Sequence, residues 1–78
     1  SDLDNLVMPD RRALSRLGLS AVEFRAACAQ WRFGCPVFGL WAAQHIERMS
    51  VRQYGELVAL VRQALGDDTD YSKEGVEL

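Results

Sequence analysis

The sequence predicts an all-α fold, a compact bundle of four short helices with a flexible acidic C-terminal tail. Apolar residues recur at spacings of three and four along most of the chain, whereas no stretch alternates for long enough to suggest a strand. Two capping-box patterns mark helix starts, and glycines stand where helical patterns end. The length of 78 residues is that of one domain, and a composition that is 49% hydrophobic disfavours a disordered body.

The chain begins with an aperiodic stretch, so we expect a loose N-terminal segment over residues 1–8 and a helical domain over residues 9–66. The first helix is expected at residues 9–17. Pro9 suits the first position of a helix because its missing N–H has no intrahelical partner there. Asp10 is then close to the positive end of the helix dipole.

The second helix has the clearest start, a capping box formed by Ser20 and Glu23, and it is expected to run to Phe33. One apolar stripe along it predicts the core side: Phe24, Ala27, Cys28 and Trp31. A second apolar stripe lies on the far side: Val22, Ala26, Ala29 and Phe33. A surface helix needs only one such stripe.

The third helix covers the most apolar part of the chain and is expected to begin at Pro36 and to end near Met49. One face of it is predicted to be buried: Phe38, Trp41, Ala42, His45, Ile46 and Met49. Val37 and Leu40 point away from that face. Such a helix is either buried on two sides or offers its second side to a partner.

The fourth helix begins at a second capping box, Ser50 with Gln53, and ends at Gly66. Its apolar stripe is clean: Tyr54, Leu57, Val58, Val61 and Leu65. Residues 67–78 are acidic and aperiodic, which predicts a disordered tail.

The charges are unevenly distributed, although the net charge is only −2. Residues 11–66 carry eight arginines against three glutamates, whereas the first ten and the last twelve residues are acidic. A basic body between acidic ends suits an acidic partner or nucleic acid. The same pattern also arises when arginines simply solvate helix surfaces.

The residues that carry catalytic and metal-binding chemistry are few. Cys28, Cys35 and His45 are too few for a structural zinc site, so we expect no metal and no cofactor. No paired-carboxylate motif or glycine-rich loop is present, and a chain of this length has little room for a substrate pocket, so we expect no enzyme and no small-molecule substrate. A disulfide between the two cysteines would require an oxidising compartment. No membrane span or signal peptide is recognisable, and a cytoplasmic location is expected.

The surplus apolar surface on helices two and three predicts a non-enzymatic protein–protein interaction module, either a homodimer or a subunit or adaptor of a larger assembly. The residues expected to bind the partner are Val22, Ala26, Ala29, Phe33, Val37 and Leu40, with Arg25 and Arg32 at the rim. Alternatively, helix one and the N-terminal apolar residues fold over this face within one chain.

A DNA-binding regulator of the helix-turn-helix type is the alternative function. Helix three is too apolar at its start to read bases, so helix four and the arginines of the helical domain would contact the DNA. The residues expected to do so are Arg48, Arg52 and Gln53. The arginine-rich composition and short capped helices suggest a small bacterial or phage accessory protein.

Overall fold

A computed structural model describes residues 2–46 and 49–67, and this part of the chain confirms the all-α bundle, since it contains helices and no strand. The α-helices are α1 (Arg11–Leu17), α2 (Ala21–Trp31), α3 (Cys35–His45) and α4 (Val51–Leu65), and a short 3-10 helix spans Asp2–Asn5. Of the acidic tail, only Asp67 lies within the described residues.

Helix α1 begins two residues later than the sequence predicts. Asp10 is its N-cap and has extended backbone angles, and its carboxylate accepts a hydrogen bond from the backbone N–H of Ala13 at 2.8 Å. An aspartate that caps in this way satisfies a backbone donor that the first turn leaves without a partner. Pro9 therefore precedes the cap and is not the first helical residue.

Both predicted capping boxes are confirmed. Ser20 accepts from the N–H of Glu23 at 3.1 Å, and the Glu23 carboxylate accepts from the N–H of Ser20 at 2.9 Å. Ser50 and Gln53 repeat the arrangement at 3.1 and 3.0 Å. These reciprocal bonds fix where α2 and α4 begin.

Helices α2 and α3 both end earlier than the sequence predicts. After Trp31 the chain makes a turn that leads to Gly34, whose φ of 111° directs the backbone into α3. Helix α3 ends at His45, and Ile46 has left helical geometry with a ψ of 69°. Met49 thus lies outside α3, because the chain must leave the helix before Ser50 adopts the extended backbone of a cap.

The core lies around α2, which packs against both α3 and α4. Its fully buried large side chains come from all three of these helices: Phe24, Cys28, Phe38, Leu57 and Val61. Phe38 is the aromatic centre, with its ring 5.1 Å from that of Trp31 and 5.7 Å from that of Tyr54. The first of these contacts is edge-to-face, a favoured geometry for aromatic pairs.

The segments on either side of the helical body also pack against it. Leu6 and Met8 contact the core, and the N–H of Val7 donates to the carbonyl oxygen of Ala64 at 3.2 Å. This part of the N-terminal segment therefore packs against the helical body, although its aperiodic sequence carries no signal of such contacts. Asp67 is held in the same way by Trp31, whose indole N–H donates to it at 3.0 Å.

Candidate functional site

The outer side of α2 carries exposed apolar side chains, as its second stripe predicts. Val22 is 77% and Phe33 73% exposed, and Ala26 and Ala29 between them are half-buried. At about 100° per residue Val22, Ala26 and Ala29 lie opposite the buried stripe of α2, and Phe33 lies in the turn that follows the helix. The core therefore does not need these side chains.

Helix α3 also exposes apolar side chains beyond the turn at Gly34. Leu40 is 67% and Val37 39% exposed, whereas Phe38 and Ala42 on the other side of the helix are buried. We call Val22, Ala26, Ala29, Phe33, Val37 and Leu40 together the outer face. The described N-terminal residues leave its large side chains open to solvent.

Two arginines, Arg25 and Arg32, are exposed on α2 beside the outer face, at the edge where the helical spacing predicts them. Arginine stems pack against apolar surface while the guanidinium group stays in water. This arrangement is typical of the polar rim that surrounds an apolar contact patch.

Two of the three residues proposed for DNA recognition lie in the described part of the chain. Arg48 lies outside the described residues. Arg52 is 3.9 Å from Glu56 on the same exposed helix face. Both polar atoms of the Gln53 side chain are engaged, because its oxygen accepts from Ser50 and its NH₂ donates to the carbonyl oxygen of Arg16 at 3.2 Å. The start of α4 is therefore built for capping and packing.

The two cysteines are free thiols in contrasting environments. Cys28 is buried in the core, and burial raises the pKa of its thiol to about 11, although the positive charge of Arg25 partly opposes this. Cys35 is exposed at the start of α3. Cys28 is therefore inert as a nucleophile at neutral pH, since the thiolate is the reactive form.

His45 does not lie in the core. Its side chain is exposed, and its Nδ1 is 3.0 Å from the carbonyl oxygen of Trp41. The ring also stacks on the Trp41 ring, with centroids 5.4 Å apart and an interplanar angle of 18°. Within the described residues, no three of the His, Cys, Asp and Glu side chains come together as a metal site.

Two surface features were not found from the sequence. A depression of about 560 Å³ separates the end of α1 from the end of α3, and Arg16, Gln44 and His45 line it. An apolar cleft of about 320 Å³ lies between α3 and the start of α4. Val51, at the edge of that cleft, is 91% exposed. Helical periodicity does not reveal such features, because each combines residues from separate helices.

None of the helices in the described part of the chain combines the length and apolarity needed to cross a bilayer. Comparison with protein-family models, with curated proteins and with solved structures returns no match.

Proposed function

We propose that this protein is a small non-enzymatic interaction module that binds protein through the outer face of α2 and α3, with a second copy of the same chain as the partner. The exposure of Val22 on α2, of Phe33 in the turn after it and of Leu40 on α3 supports the proposal. Apolar surface of this kind on a small domain usually marks an interaction site. A homodimer formed in this way is also a suitable unit for building into a larger assembly.

The size of the domain gives the same proposal a thermodynamic basis. A core in a chain of this length supplies only about 3–5 kcal/mol, so small domains often depend on a staple or a partner. Both cysteines are free, so no disulfide links them. A second copy that covers the outer face would bury apolar area, and each Å² buried would stabilise the dimer by about 25 cal/mol.

The outer face also has the composition of a contact surface. Phe33 supplies a large aromatic anchor, and the half-buried alanines Ala26 and Ala29 allow another helix to approach closely. Arg25 and Arg32 lie at the edge, where charged side chains remain hydrated. Aromatic and arginine residues are enriched among the residues that dominate binding energies.

The mass in solution tests the proposal. Light scattering after size exclusion, at low and at high salt, should give a dimer at both, because an apolar interface is insensitive to salt. A dimer that dissociates at high salt would indicate a charged interface elsewhere. A monomer at every concentration and salt level would rule out self-association and leave a different protein as the partner.

A further inference from the structure

Helix α1 presents a concentrated positive charge that neither the fold nor the proposed function uses. Arg11, Arg12 and Arg16 are exposed within a helix of seven residues, which is about 10 Å long. In the described part of the chain no carboxylate forms an ion pair with any of them. The nearest acidic residue in sequence, Asp10, has its carboxylate engaged in capping Ala13.

These arginines border a track that continues to α3. A surface depression of about 570 Å³ is lined by Arg11, Arg12, Ser15 and Arg16, together with Asp10. Ser15 and Arg16 also line the depression of about 560 Å³ that reaches Gln44 and His45. The two depressions share Ser15 and Arg16 and form one polar track. Its positive charge is concentrated at the α1 end, and the carboxylate of Glu23 also lines the part that reaches His45.

The far end of the track carries a stacking surface. The exposed His45 ring is held parallel to the Trp41 ring by the stack and by its Nδ1 contact with the Trp41 carbonyl oxygen. A carbonyl only accepts hydrogen bonds, so Nδ1 bears the proton and the ring orientation is fixed. Gln44 lies in the same depression and offers an amide that can donate and accept.

We infer that this track binds single-stranded nucleic acid, with phosphates on the α1 arginines and a base stacked on His45. Proteins that bind single strands combine a positive groove with aromatic rings on which bases stack. Duplex DNA fits less well, because its bases are already stacked. An acidic peptide would use the arginines alone and leave the stacked pair without a role.

The first experiment measures binding of a fluorescein-labelled dT12 oligonucleotide to the full chain by anisotropy across a salt series. Three phosphate contacts predict a slope of log K against log salt of about −2. The double variant Arg12→Ala/Arg16→Ala should lose about two thirds of that slope and most of the affinity. Arg52→Ala is the matched control, because it removes an exposed arginine outside the track, and it should bind like the parent.

The stacking contact is tested by His45→Ala, which should weaken binding about tenfold, and by His45→Phe, which should restore it because a phenyl ring also stacks. Circular dichroism checks that both variants keep their helicity. An oligonucleotide of the same length without bases should bind weakly, and polyglutamate should compete poorly.

Three results would overturn the inference. One is no binding of dT12 at 50 mM salt. Another is an equal loss of affinity in the Arg52→Ala control and in the double variant. The third is binding of the abasic strand and of polyglutamate as tight as that of dT12, which would show a general anion-binding surface. None of these results depends on whether the chain dimerises through the outer face.

Discussion

Trp31 on α2 donates its indole N–H to the carboxylate of Asp67, which follows the glycine that ends α4, over a distance of 3.0 Å. The backbone N–H of Asp67 also donates to the carbonyl oxygen of Arg62 at 2.8 Å, which closes the end of α4. The side-chain bond joins two helices that lie far apart in sequence. Asp67 therefore belongs to the folded body.

Replacing Asp67 with alanine should lower the free energy of unfolding by about 1 kcal/mol, because a partly buried indole donor loses its charged acceptor. For a domain of this size the thermal midpoint should fall by roughly 4–8 °C per kcal/mol. Thermal unfolding followed by circular dichroism measures the change. Asp67→Asn keeps an acceptor oxygen, so the thermal midpoint of this variant should fall less.

Truncated chains test the same boundary. A chain that ends at residue 67 should keep the thermal midpoint of the full chain. One that ends at residue 66 should lose more than Asp67→Ala does, because it also loses the backbone hydrogen bond from residue 67 to Arg62. Equal midpoints for the two truncated chains would contradict a structural role for Asp67. From their acidic, aperiodic sequence, all of residues 67–78 are predicted to be dispensable. The role of Asp67 is missed because a single tertiary hydrogen bond leaves no periodic signal in the sequence.

The sequence predicts the local parts of this fold well. Capping boxes such as Ser20 with Glu23 use residues three apart, and helical stripes use residues three and four apart, so both are visible in one sequence. The same periodicity correctly predicts that Phe24 is buried and Val22 exposed. The outer-face residues could be named in advance for this reason.

The features that the sequence does not predict depend on competition between neighbouring segments or on contacts between separate helices. Helix α3 ends at His45 because α4 needs a separate, extended cap at Ser50, and the pattern of apolar residues does not show which demand prevails. The track from Arg16 to His45 depends on how α1 and α3 are placed relative to each other. Gln53 resembles a base-reading residue in sequence, yet its amide joins α4 to α1.

The capping box of α2 should make stability depend on acidic pH. The carboxylate of Glu23 forms hydrogen bonds with the backbone N–H and with the side chain of Ser20. Both bonds lower the pKa of this carboxyl from the usual 4.5. A lowered folded-state pKa gives stability that is present above the unfolded pKa and is lost as pH falls through the folded one. The native chain should therefore lose this contribution as the pH falls below the ordinary value of 4.5 and through the lowered folded-state pKa of Glu23.

Glu23→Gln is the matched variant, because glutamine forms the same box at Ser50 without titrating. Urea unfolding at pH 7 and pH 3 should show a smaller loss for the variant than for the native chain. If both chains lost the same stability, the carboxylate of Glu23 would not titrate with folding.

Two glycines in or after α4 should respond to alanine in opposite directions. Gly55 lies in the helix interior, and a Cβ atom there would meet no atom within 4 Å. Gly55→Ala should raise the free energy of unfolding by about 0.5–1 kcal/mol, because glycine is a poor helix former. Gly66 has a φ of 69°, where a side chain is strained, so Gly66→Ala should cost about 1 kcal/mol. A stabilising Gly66→Ala in urea unfolding would contradict the left-handed cap.

The thiols should differ in reactivity. At pH 8 an aromatic disulfide reagent should modify Cys35 readily and leave Cys28 unmodified, because Cys28 is buried and its pKa is raised to about 11. Mass spectrometry of the labelled protein identifies the site, and unfolding in guanidinium should expose the second thiol. Equal labelling rates in the native protein would contradict the burial of Cys28.

The same raised pKa predicts a loss of stability in alkali. Between about pH 9 and pH 11 the thiol of Cys28 ionises in the unfolded chain but stays protonated in the folded one. The folded state then binds more protons, so the free energy of unfolding falls as pH rises. Cys28→Ala, compared with the native chain by urea unfolding at pH 8 and pH 10, should be less stable at both but show a smaller decrease between them.

The proposed dimer should be broken by one charge on the outer face. Ala26→Asp places a carboxylate in the middle of that face, where a dimer would bury it without a partner, and the desolvation penalty should dissociate the assembly. Val51→Asp is the matched control, because Val51 is 91% exposed on α4 and outside the outer face. Light scattering should give a monomer for the first variant and a dimer for the second.

Circular dichroism of the same two variants separates an interface from a core. Ala26 lies opposite the buried stripe of α2, so Ala26→Asp should keep its helicity while it loses the partner. Dissociation together with a collapse of helicity would mean that the chain folds only as a dimer, provided that Val51→Asp stays folded. The outcome differs if the native chain is a monomer and Ala26→Asp nevertheless loses its helicity. The outer face would then stabilise the fold of the single chain, and the interaction proposal would be wrong.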